Sequence, residues 1–390
     1  MSANTKSGGL SFTLSEDQLA IRDLAAEFGA EHLAPMAVAW DREKFFPVAV
    51  MREAAALGMG GIYVSEAHGG SGLSRLDAAL IIEALATGCP TVSAYMSIHN
   101  MVAGMIDRYG TAAQQAKYLP KLCSMAHLAS YCLTEPSAGS DAAALRTKAA
   151  REGDEFVLNG VKQFISGAGV ADIYVVMARS GGVGPSGISA FLVEAGTKGL
   201  SFGPNEYKMG WNAQPTRQVI MEDVRIPVAN MLGAEGSGFK IAMAGLDGGR
   251  INIGAASLGG AQAALDKSVS YMAERKAFGK TIGSFQALQF QVADMATQLE
   301  AARLMLWRAA TSLDAGAPDA SVLCAMAKRL ATDTGFEVAN QALQIHGGYG
   351  YLADYGIEKI VRDLRVHQIL EGTNEIMRLI ISRHILGGEK

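Results

Sequence analysis

Between Leu14 and about Ala129, the hydrophobic positions recur with a helical period. Ser15 to Gln18 and Ser74 to Asp77 each match a capping box, in which a serine is followed three residues later by a side chain that can reach back to it. The Gly/Ser-rich run from Tyr63 to Arg75 predicts a loop between the helices. The first third of the chain is therefore predicted to be all-helical.

From Tyr131 to about Gly236 the pattern changes to short β-branched and aromatic runs separated by turn residues. Asn159-Gly160 and the glycine-rich runs 181–187 and 196–199 are typical turn sequences. These features predict a compact antiparallel barrel or sandwich, with strands at Glu155 to Leu158, Gln163 to Ser166, Ile173 to Ala178, Ile188 to Glu194 and Arg217 to Ile226.

Long helical periods return from Phe239 onward, and few prolines interrupt them. Four long helices joined by short links indicate a bundle. They are predicted at Ile251 to Arg275, Phe285 to Leu313, Ala320 to Ile345 and Asn374 to Leu386, with a further helix within Tyr355 to Ile369. The predicted fold class is a multidomain α+β protein: a helical domain (1–129), a central β domain (130–236) and a C-terminal four-helix bundle (237–390).

Composition and charge narrow the possible functions. Hydrophobic residues make up 49% and charged residues 18% of the 390 positions, which argues against disorder. The net charge of −4 argues against a nucleic-acid partner. No apolar run reaches the roughly 18 residues of a membrane span, so no membrane insertion is expected. The polar start, Met1 to Leu10, is expected to be a short tail without signal or transit-peptide character.

Three features of the sequence do not predict a disulfide, a dinucleotide site or a metal site. The four cysteines (Cys89, Cys123, Cys132, Cys324) lack CxxC spacing and predict neither disulfides nor a zinc site. Gly182 to Gly187 matches GxGxxG but lies between two predicted strands, which favours a hairpin loop over a dinucleotide site. Asp363, His367 and Glu371 have helical spacing, but the adjoining arginines and Gly372 favour a charged helix face over a metal site.

Two segments are better candidates for a functional site. Tyr131 to Asp141 (YCLTEPSAGSD) presents hydroxyl groups and free backbone N–H groups in a loop, although a simple domain linker is an equally good interpretation. Leu246 to Ile251 (LDGGRI) is expected to open a long helix, which Asp247 could cap. Arg250 near the positive end of that helix would then indicate an anionic or polar partner.

With these segments in view, the chain resembles the acyl-CoA dehydrogenase family from about Leu14 to Leu386. The motifs occur in the family's order, and the runs YMSIHNM, FISGAG and VHQILEG are most similar to its isobutyryl-CoA dehydrogenase subgroup. Those ordered motifs are YCLTEPSAGSD, FISG at 164–167, MGWNAQPTR at 209–217, LDGGRI, ERKAFGK at 274–280, QIHGGYGY at 344–351 and EGTNEI at 371–376.

This resemblance implies an FAD held between the β domain and the bundle, and an oligomer, usually a tetramer, because some flavin contacts reach a neighbouring subunit. The implied cofactor residues are Leu133, Thr134, Ser140, Phe164, Ile165, Ser166, Arg275, Phe285, Gln286, Gln344, Ile345, His346, Gly347, Gly348, Thr373, Asn374 and Glu375. The implied acyl-CoA residues are Ser140, Asp247, Gly248, Gly249, Arg250 and Arg383.

The resemblance also implies the chemistry, which is removal of an α-proton from an acyl thioester while a hydride leaves the β-carbon for the flavin. Glu371 is the expected base, since desolvation raises a carboxyl pKa toward the value that this step needs. Some family members place the base at the position of Gly249, which has no side chain here. The backbone N–H of Glu371 and a ribityl hydroxyl are expected to stabilise the thioester oxygen.

The subgroup similarity implies isobutyryl-CoA as substrate, converted to methacrylyl-CoA in valine degradation. Two positions depart from the isobutyryl pattern: Asp247 stands where mammalian enzymes have Asn, and Gly104 is smaller than its counterpart, which could widen the pocket. A short-chain or 2-methyl-branched acyl-CoA dehydrogenase, a flavin oxidase and a non-catalytic flavoprotein scaffold remain alternatives. The expected electron acceptor is electron-transferring flavoprotein, and the expected compartment is the bacterial cytoplasm or, for a mature form, the mitochondrial matrix.

Overall fold

The computed structural model describes residues 13–387, so the predicted tail Met1 to Leu10 lies outside the described residues. Both predicted capping boxes are confirmed, at Ser15 with Gln18 and at Ser74 with Asp77. A third, at Thr111 with Gln114, begins the last helix of this region. The helices are α1 (Glu16–Phe28), α2 (Ala37–Glu43), α3 (Val48–Ala56), α4 (Arg75–Gly88), α5 (Pro90–Tyr109) and α6 (Ala112–Cys123).

The central region forms one eight-stranded sheet. Its strands are β1 (Ala129–Cys132), β2 (Lys148–Glu152), β3 (Glu155–Ser166), β4 (Ile173–Arg179), β5 (Ile188–Glu194), β6 (Leu200–Phe202), β7 (Thr216–Pro227) and β8 (Met231–Leu232). Their order in the sheet is β6-β7-β3-β2-β4-β5-β8, and β1 pairs with β4 outside this order. The GxGxxG run joins the antiparallel strands β4 and β5, as the hairpin interpretation predicted.

Two features of this sheet differ from the sequence predictions. The sheet is mixed, because β4 pairs in parallel with both β1 and β2. Parallel strands need a long crossover connection, and the chain between β1 and β4 provides it. Asn159-Gly160 is not a turn between two strands but an irregularity inside the continuous strand β3. Asn159 bonds to Asp223 on β7, and Gly160, with φ +152°, lies so close to Thr147 that a Cβ would be 2.5 Å from its hydroxyl oxygen.

The C-terminal region is helical. Its elements are α7 (Gly238–Glu274), the small hairpin β9 (Lys276–Ala277) and β10 (Lys280–Thr281), α8 (Gln286–Asp314), α9 (Ala320–His346), α10 (Ile357–Arg365) and α11 (Asn374–Ile385). Helix α7 lies at the centre and packs against α4, α5, α8 and α9. The expected helix start at Asp247 is wrong, because α7 begins nine residues earlier, at Gly238. Asp247 and Arg250 therefore lie inside the helix, and the argument that Arg250 opposes a helix dipole does not apply.

Apolar packing joins the three regions. One buried cluster runs through helices of both helical regions and the sheet, and a second lies between α5, α6 and strands such as β4 and β5. All four cysteines are unpaired, as their spacing predicted, and all four are buried. Among the helices of residues 13–387, none is both long and apolar enough to cross a membrane. Within the same residues no cluster of His, Cys, Asp and Glu has the composition of a metal site.

Candidate active site

Glu371 lies in the short segment between a 3-10 turn (Val366–Gln368) and α11, with a left-handed backbone of φ +57°. The residue as a whole is half-buried, but its carboxylate atom Oε2 is buried and has no hydrogen-bond partner among the described residues. Burial raises the pKa of this carboxyl to about 7, although the charges of Arg250 and Lys328 act to lower it. A carboxyl with this pKa can exchange a proton near neutral pH.

Helix α7 passes directly beneath this carboxylate. A methyl group built on Gly249 would lie 2.9 Å from the Glu371 carboxyl carbon and closer still to Oε2, so a larger residue at this position would displace the acid. One residue further on, the buried Arg250 contacts the Glu371 carbonyl oxygen at 3.4 Å and forms an ion pair with Asp247 at 2.6 Å. Asp247 also accepts from Ser321. Asp247 and Arg250 therefore stabilise the Glu371 segment instead of capping a helix.

Two tyrosines face the same space, and their phenol oxygens are buried without a hydrogen-bond partner in the described part of the chain. Burial raises the pKa of Tyr131, and the negative charge of Glu371 raises it further. Tyr63 carries the Arg75 guanidinium 3.6 Å above its ring, and a Cβ on Gly104 would lie 2.6 Å from that ring. The ring of Tyr63 therefore occupies the room left by Gly104, which contradicts the expectation that Gly104 simply widens the pocket.

The loop after β1 is fixed by a buried ion pair that sequence reasoning missed. Glu135 accepts from the backbone N–H groups of Arg146 and Thr147 at 2.6 and 2.9 Å and from Lys162 Nζ at 2.7 Å. Lys162 also donates to the Leu133 carbonyl at 3.1 Å. Lys162 was overlooked because a lysine in a strand is normally exposed, whereas this one is fully buried.

The expected flavin residues of the β domain form a neighbouring group. Leu133 is buried and Thr134 half-buried, whereas Ser140 lies exposed in the loop. Phe164 has φ +60° and an exposed ring, an unusual combination for a large apolar residue. Ser166 is bonded to Ser130 and Gln214, and Ile165 is buried in the core.

A second group of expected flavin residues lies at the opposite end of the bundle. Arg275 follows α7 and lies over the Tyr349 ring, and Tyr271, Ile282 and Leu352 help to line the adjoining cavity. Gly249 and Glu274, the last residue of α7, are separated by 25 helix positions, or about 38 Å. The expected flavin residues that line this cavity are Arg275, Ile345, His346, Gly347 and Gly348. Gln344 lies in the last turn of α9, and Phe285 and Gln286 lie at the start of α8.

The remaining expected contacts are on α11. Thr373 caps this helix by accepting from the Ile376 N–H at 3.3 Å, and Asn374 is buried against α9. Glu375 and Arg383 are exposed. The structure therefore brings Thr373 and Asn374 next to Glu371, whereas Arg383 lies more than two turns further along α11.

Asp363 and His367 do not share a helix face with Glu371, because α10 ends at Arg365. Asp363 bonds to Thr91, Lys359 and the Trp211 N–H. His367 lies between Ser257 and the Trp211 indole, and burial lowers its pKa to about 3. These residues connect the bundle to the β domain. Because both side chains are fully buried, the predicted charged helix face is wrong for Asp363 and His367.

Comparison with family models decides the relationship. The acyl-CoA dehydrogenase N-terminal, middle and C-terminal domain models match residues 15–126, 130–224 and 236–386. The chain belongs to the acyl-CoA dehydrogenase family. It is 57% identical to the mitochondrial isobutyryl-CoA dehydrogenases of Bos taurus, over 96% of this chain and 90% of that one, and of Dictyostelium discoideum, over 95% and 90%.

Solved structures agree with this assignment. A chain from work on the electron transferring flavoprotein of Acidaminococcus fermentans has a TM-score of 0.94 at 43% identity, covering 97% of this chain and 100% of that one. Butyryl-CoA dehydrogenase from Megasphaera elsdenii has a TM-score of 0.94 at 40% identity, with the same coverage. The FAD complex of PigA has a TM-score of 0.93 at 32% identity, covering 96% and 99%.

Proposed function

We propose that this acyl-CoA dehydrogenase oxidises a short branched acyl-CoA thioester, isobutyryl-CoA, to methacrylyl-CoA, with FAD as cofactor and Glu371 as base. One observation carries the assignment of the base: Glu371 Oε2 is buried without a hydrogen-bond partner among residues 13–387, and burial raises the pKa of its carboxyl to about 7. The preference for isobutyryl-CoA is supported by the 57% identity to two isobutyryl-CoA dehydrogenases.

The residues present fit a flavin beside Glu371. Phe164 holds an exposed ring in a left-handed backbone, which suits a residue that packs against a planar ligand. Leu133 and Thr134 lie on the loop that the Glu135–Lys162 ion pair fixes. When bound, FAD supplies the acceptor for the hydride that leaves the acyl β-carbon.

The protein's own residues then account for the proton transfer. In its ionised form Glu371 takes the α-proton on Oε2, and the electron pair of that C–H bond forms the new double bond as the β-hydride departs. Arg250 holds the Glu371 carbonyl, and Gly249 leaves room for the carboxylate. The backbone N–H of Glu371 is the proposed partner of the thioester oxygen. Ser140, Gly248 and Arg383 are the remaining proposed contacts to the acyl-CoA, beside Asp247 and Arg250.

We also propose a tetramer in which one subunit completes another's flavin site. The group around Arg275 lies about 38 Å along α7 from Gly249, which we take to be beyond the reach of one dinucleotide bound at Glu371. Gln344 to Gly348, Phe285 and Gln286 would therefore contact a neighbouring subunit's FAD. Electron-transferring flavoprotein is the proposed acceptor, and the four buried thiols suit a reducing compartment such as the bacterial cytosol or the mitochondrial matrix.

The decisive experiment is an anaerobic titration of the purified holoenzyme with isobutyryl-CoA, 2-methylbutyryl-CoA, butyryl-CoA and octanoyl-CoA, followed by the absorbance of oxidised flavin. We expect isobutyryl-CoA to bleach the flavin at the lowest concentration. A better straight-chain substrate would refute the branched-chain assignment, and rapid reoxidation of the reduced flavin by oxygen would indicate an oxidase.

Glu371→Gln tests the base directly. The change keeps the size of the side chain, so we expect normal FAD content and normal acyl-CoA binding but almost no bleaching. Substantial bleaching by this variant would refute Glu371 as the base. If no acyl-CoA bleached even the unmodified protein, the scaffold alternative would replace the enzyme.

A further inference from the structure

A buried lysine on α9 lies beneath the Glu371 segment. Lys328, on α9, is fully buried, and its Nζ atom donates to the Gly372 carbonyl and to Asn374 Oδ1, both at 2.8 Å. Across the described chain, residues 13–387, its ammonium group has no ion-pair partner within 4.0 Å. Burying an unpaired cation is costly, and a helix surface normally leaves lysine in water.

Both hydrogen bonds of Lys328 end on residues that follow the base within three positions. Glu371 and Gly372 have φ of +57° and +88°, and a non-glycine residue holds such a conformation only where its surroundings fix it. Asn374 is fixed in turn, because its amide donates to Thr332 Oγ1 at 3.0 Å and to Asp333 Oδ1 at 2.6 Å. The lysine thus ties the strained segment to the rigid helix α9.

The charge of Lys328 also acts on the carboxylate. Burial lowers the pKa of Lys328 to about 7, whereas the negative charge of Glu371 raises it, and Lys328 in turn lowers the pKa of Glu371. The two groups therefore titrate as a coupled pair. The other charged or titratable groups that interact with one or both of them are Arg250, Tyr63, Tyr131, Asp333, His367 and Glu375.

We propose that Lys328 is a positioning residue for the reaction: its ammonium group fixes the Glu371 segment, and its charge favours the ionised carboxylate that accepts the α-proton. This inference rests on Glu371 being the base. It gives Lys328 two separable effects, one on geometry and one on charge. A purely structural lysine would have only the first.

The test is the pH dependence of flavin reduction by isobutyryl-CoA in the holoenzyme, measured by anaerobic stopped flow. Without the nearby cation the pKa of Glu371 rises, so the ionised base appears only at higher pH. The low-pH part of the rate profile, where the rate rises as the base loses its proton, is called the acid limb below. For Lys328→Gln, whose amide can still donate a hydrogen bond, we expect the acid limb to lie about one pH unit higher than in the wild type. At a fixed pH below both limbs, this is a fall of about tenfold in rate.

Two variants separate charge from structure. Lys328→Arg keeps the charge and changes the shape, so we expect a lower rate with the acid limb at the wild-type pH. Thr332→Val removes a neutral hydrogen bond to Asn374 from the same helix, so it too is expected to leave the limb in place. Infrared spectroscopy gives the pKa of Glu371 without turnover. The carboxyl band that disappears in Glu371→Gln is assigned to Glu371, and its intensity is followed as the pH is changed.

The outcomes are distinct. An unshifted limb in Lys328→Gln, or an equal shift in Thr332→Val, would overturn the charge effect. If Lys328→Gln does not retain flavin, Lys328→Met is measured instead. If neither neutral variant retains flavin, Lys328→Arg is the test. A shift of the acid limb by one pH unit in Lys328→Arg would then overturn the proposal. Substantial turnover by Glu371→Gln would instead refute the proposed function itself, whatever the lysine variants show.

Discussion

Gly249 offers the sharpest prediction, because its missing side chain leaves the space that the base occupies. In Gly249→Ala, the new methyl carbon would lie 2.9 Å from the Glu371 carboxyl carbon. Non-bonded carbons prefer a separation of about 3.5–4.0 Å, so the carboxylate has to move by about 1 Å. A misplacement of about 1 Å can lower a rate by about 100-fold, equivalent to about 2.7 kcal/mol in the barrier.

The same change should not weaken the fold. The atoms that the methyl group meets are at the tip of the Glu371 side chain, and alanine is favoured over glycine by up to about 1 kcal/mol inside a helix such as α7. We therefore expect normal flavin content and an unchanged or slightly higher free energy of unfolding, together with the loss of turnover.

The assay combines stopped-flow flavin reduction with urea unfolding of the holoenzyme. Gly254→Ala is the matched control, since it adds a methyl group on the same helix, 2.7 Å from a Leu306 methyl carbon in the core. We expect this control to keep the wild-type rate. Turnover of Gly249→Ala within about fivefold of wild type, or an equal loss in Gly254→Ala, would refute the geometric argument.

Two further predictions concern the surroundings of the site. Lys162→Met leaves Glu135 as a buried, unpaired charge, so we expect a loss of about 3–5 kcal/mol in urea unfolding and weaker FAD retention. Lys117→Met, which breaks the exposed pair with Glu194, should cost less than about 1 kcal/mol; equal losses would contradict the role of burial. Gly104→Ala places a Cβ against the Tyr63 ring, so we expect the ratio of butyryl-CoA to isobutyryl-CoA bleaching to change at normal FAD content. An unchanged ratio would show that Tyr63 does not bound the acyl pocket.

Local patterns in the sequence determined much of the helical structure. The capping boxes at Ser15 and Ser74 were predictable because all their hydrogen bonds fall within three residues. The start of α7 was not predictable, because its first turns are rich in glycine and are stabilised by packing. A Cβ on Gly238, for example, would collide with the β5 backbone at Ser189.

Sheet pairing and the site's electrostatics depended on the tertiary structure. Asn159-Gly160 is a strong hairpin signal, yet pairing with Asp223 on β7 makes it an irregularity inside β3. The ordered motifs identified Glu371 as the expected base, but they could not give its pKa. That pKa depends on desolvation and on Arg250 and Lys328, which lie 121 and 43 residues away along the chain. Neighbours along the chain fix hydrogen bonds within a helix turn, whereas only packing between distant elements removes water from a carboxylate and brings charges to it.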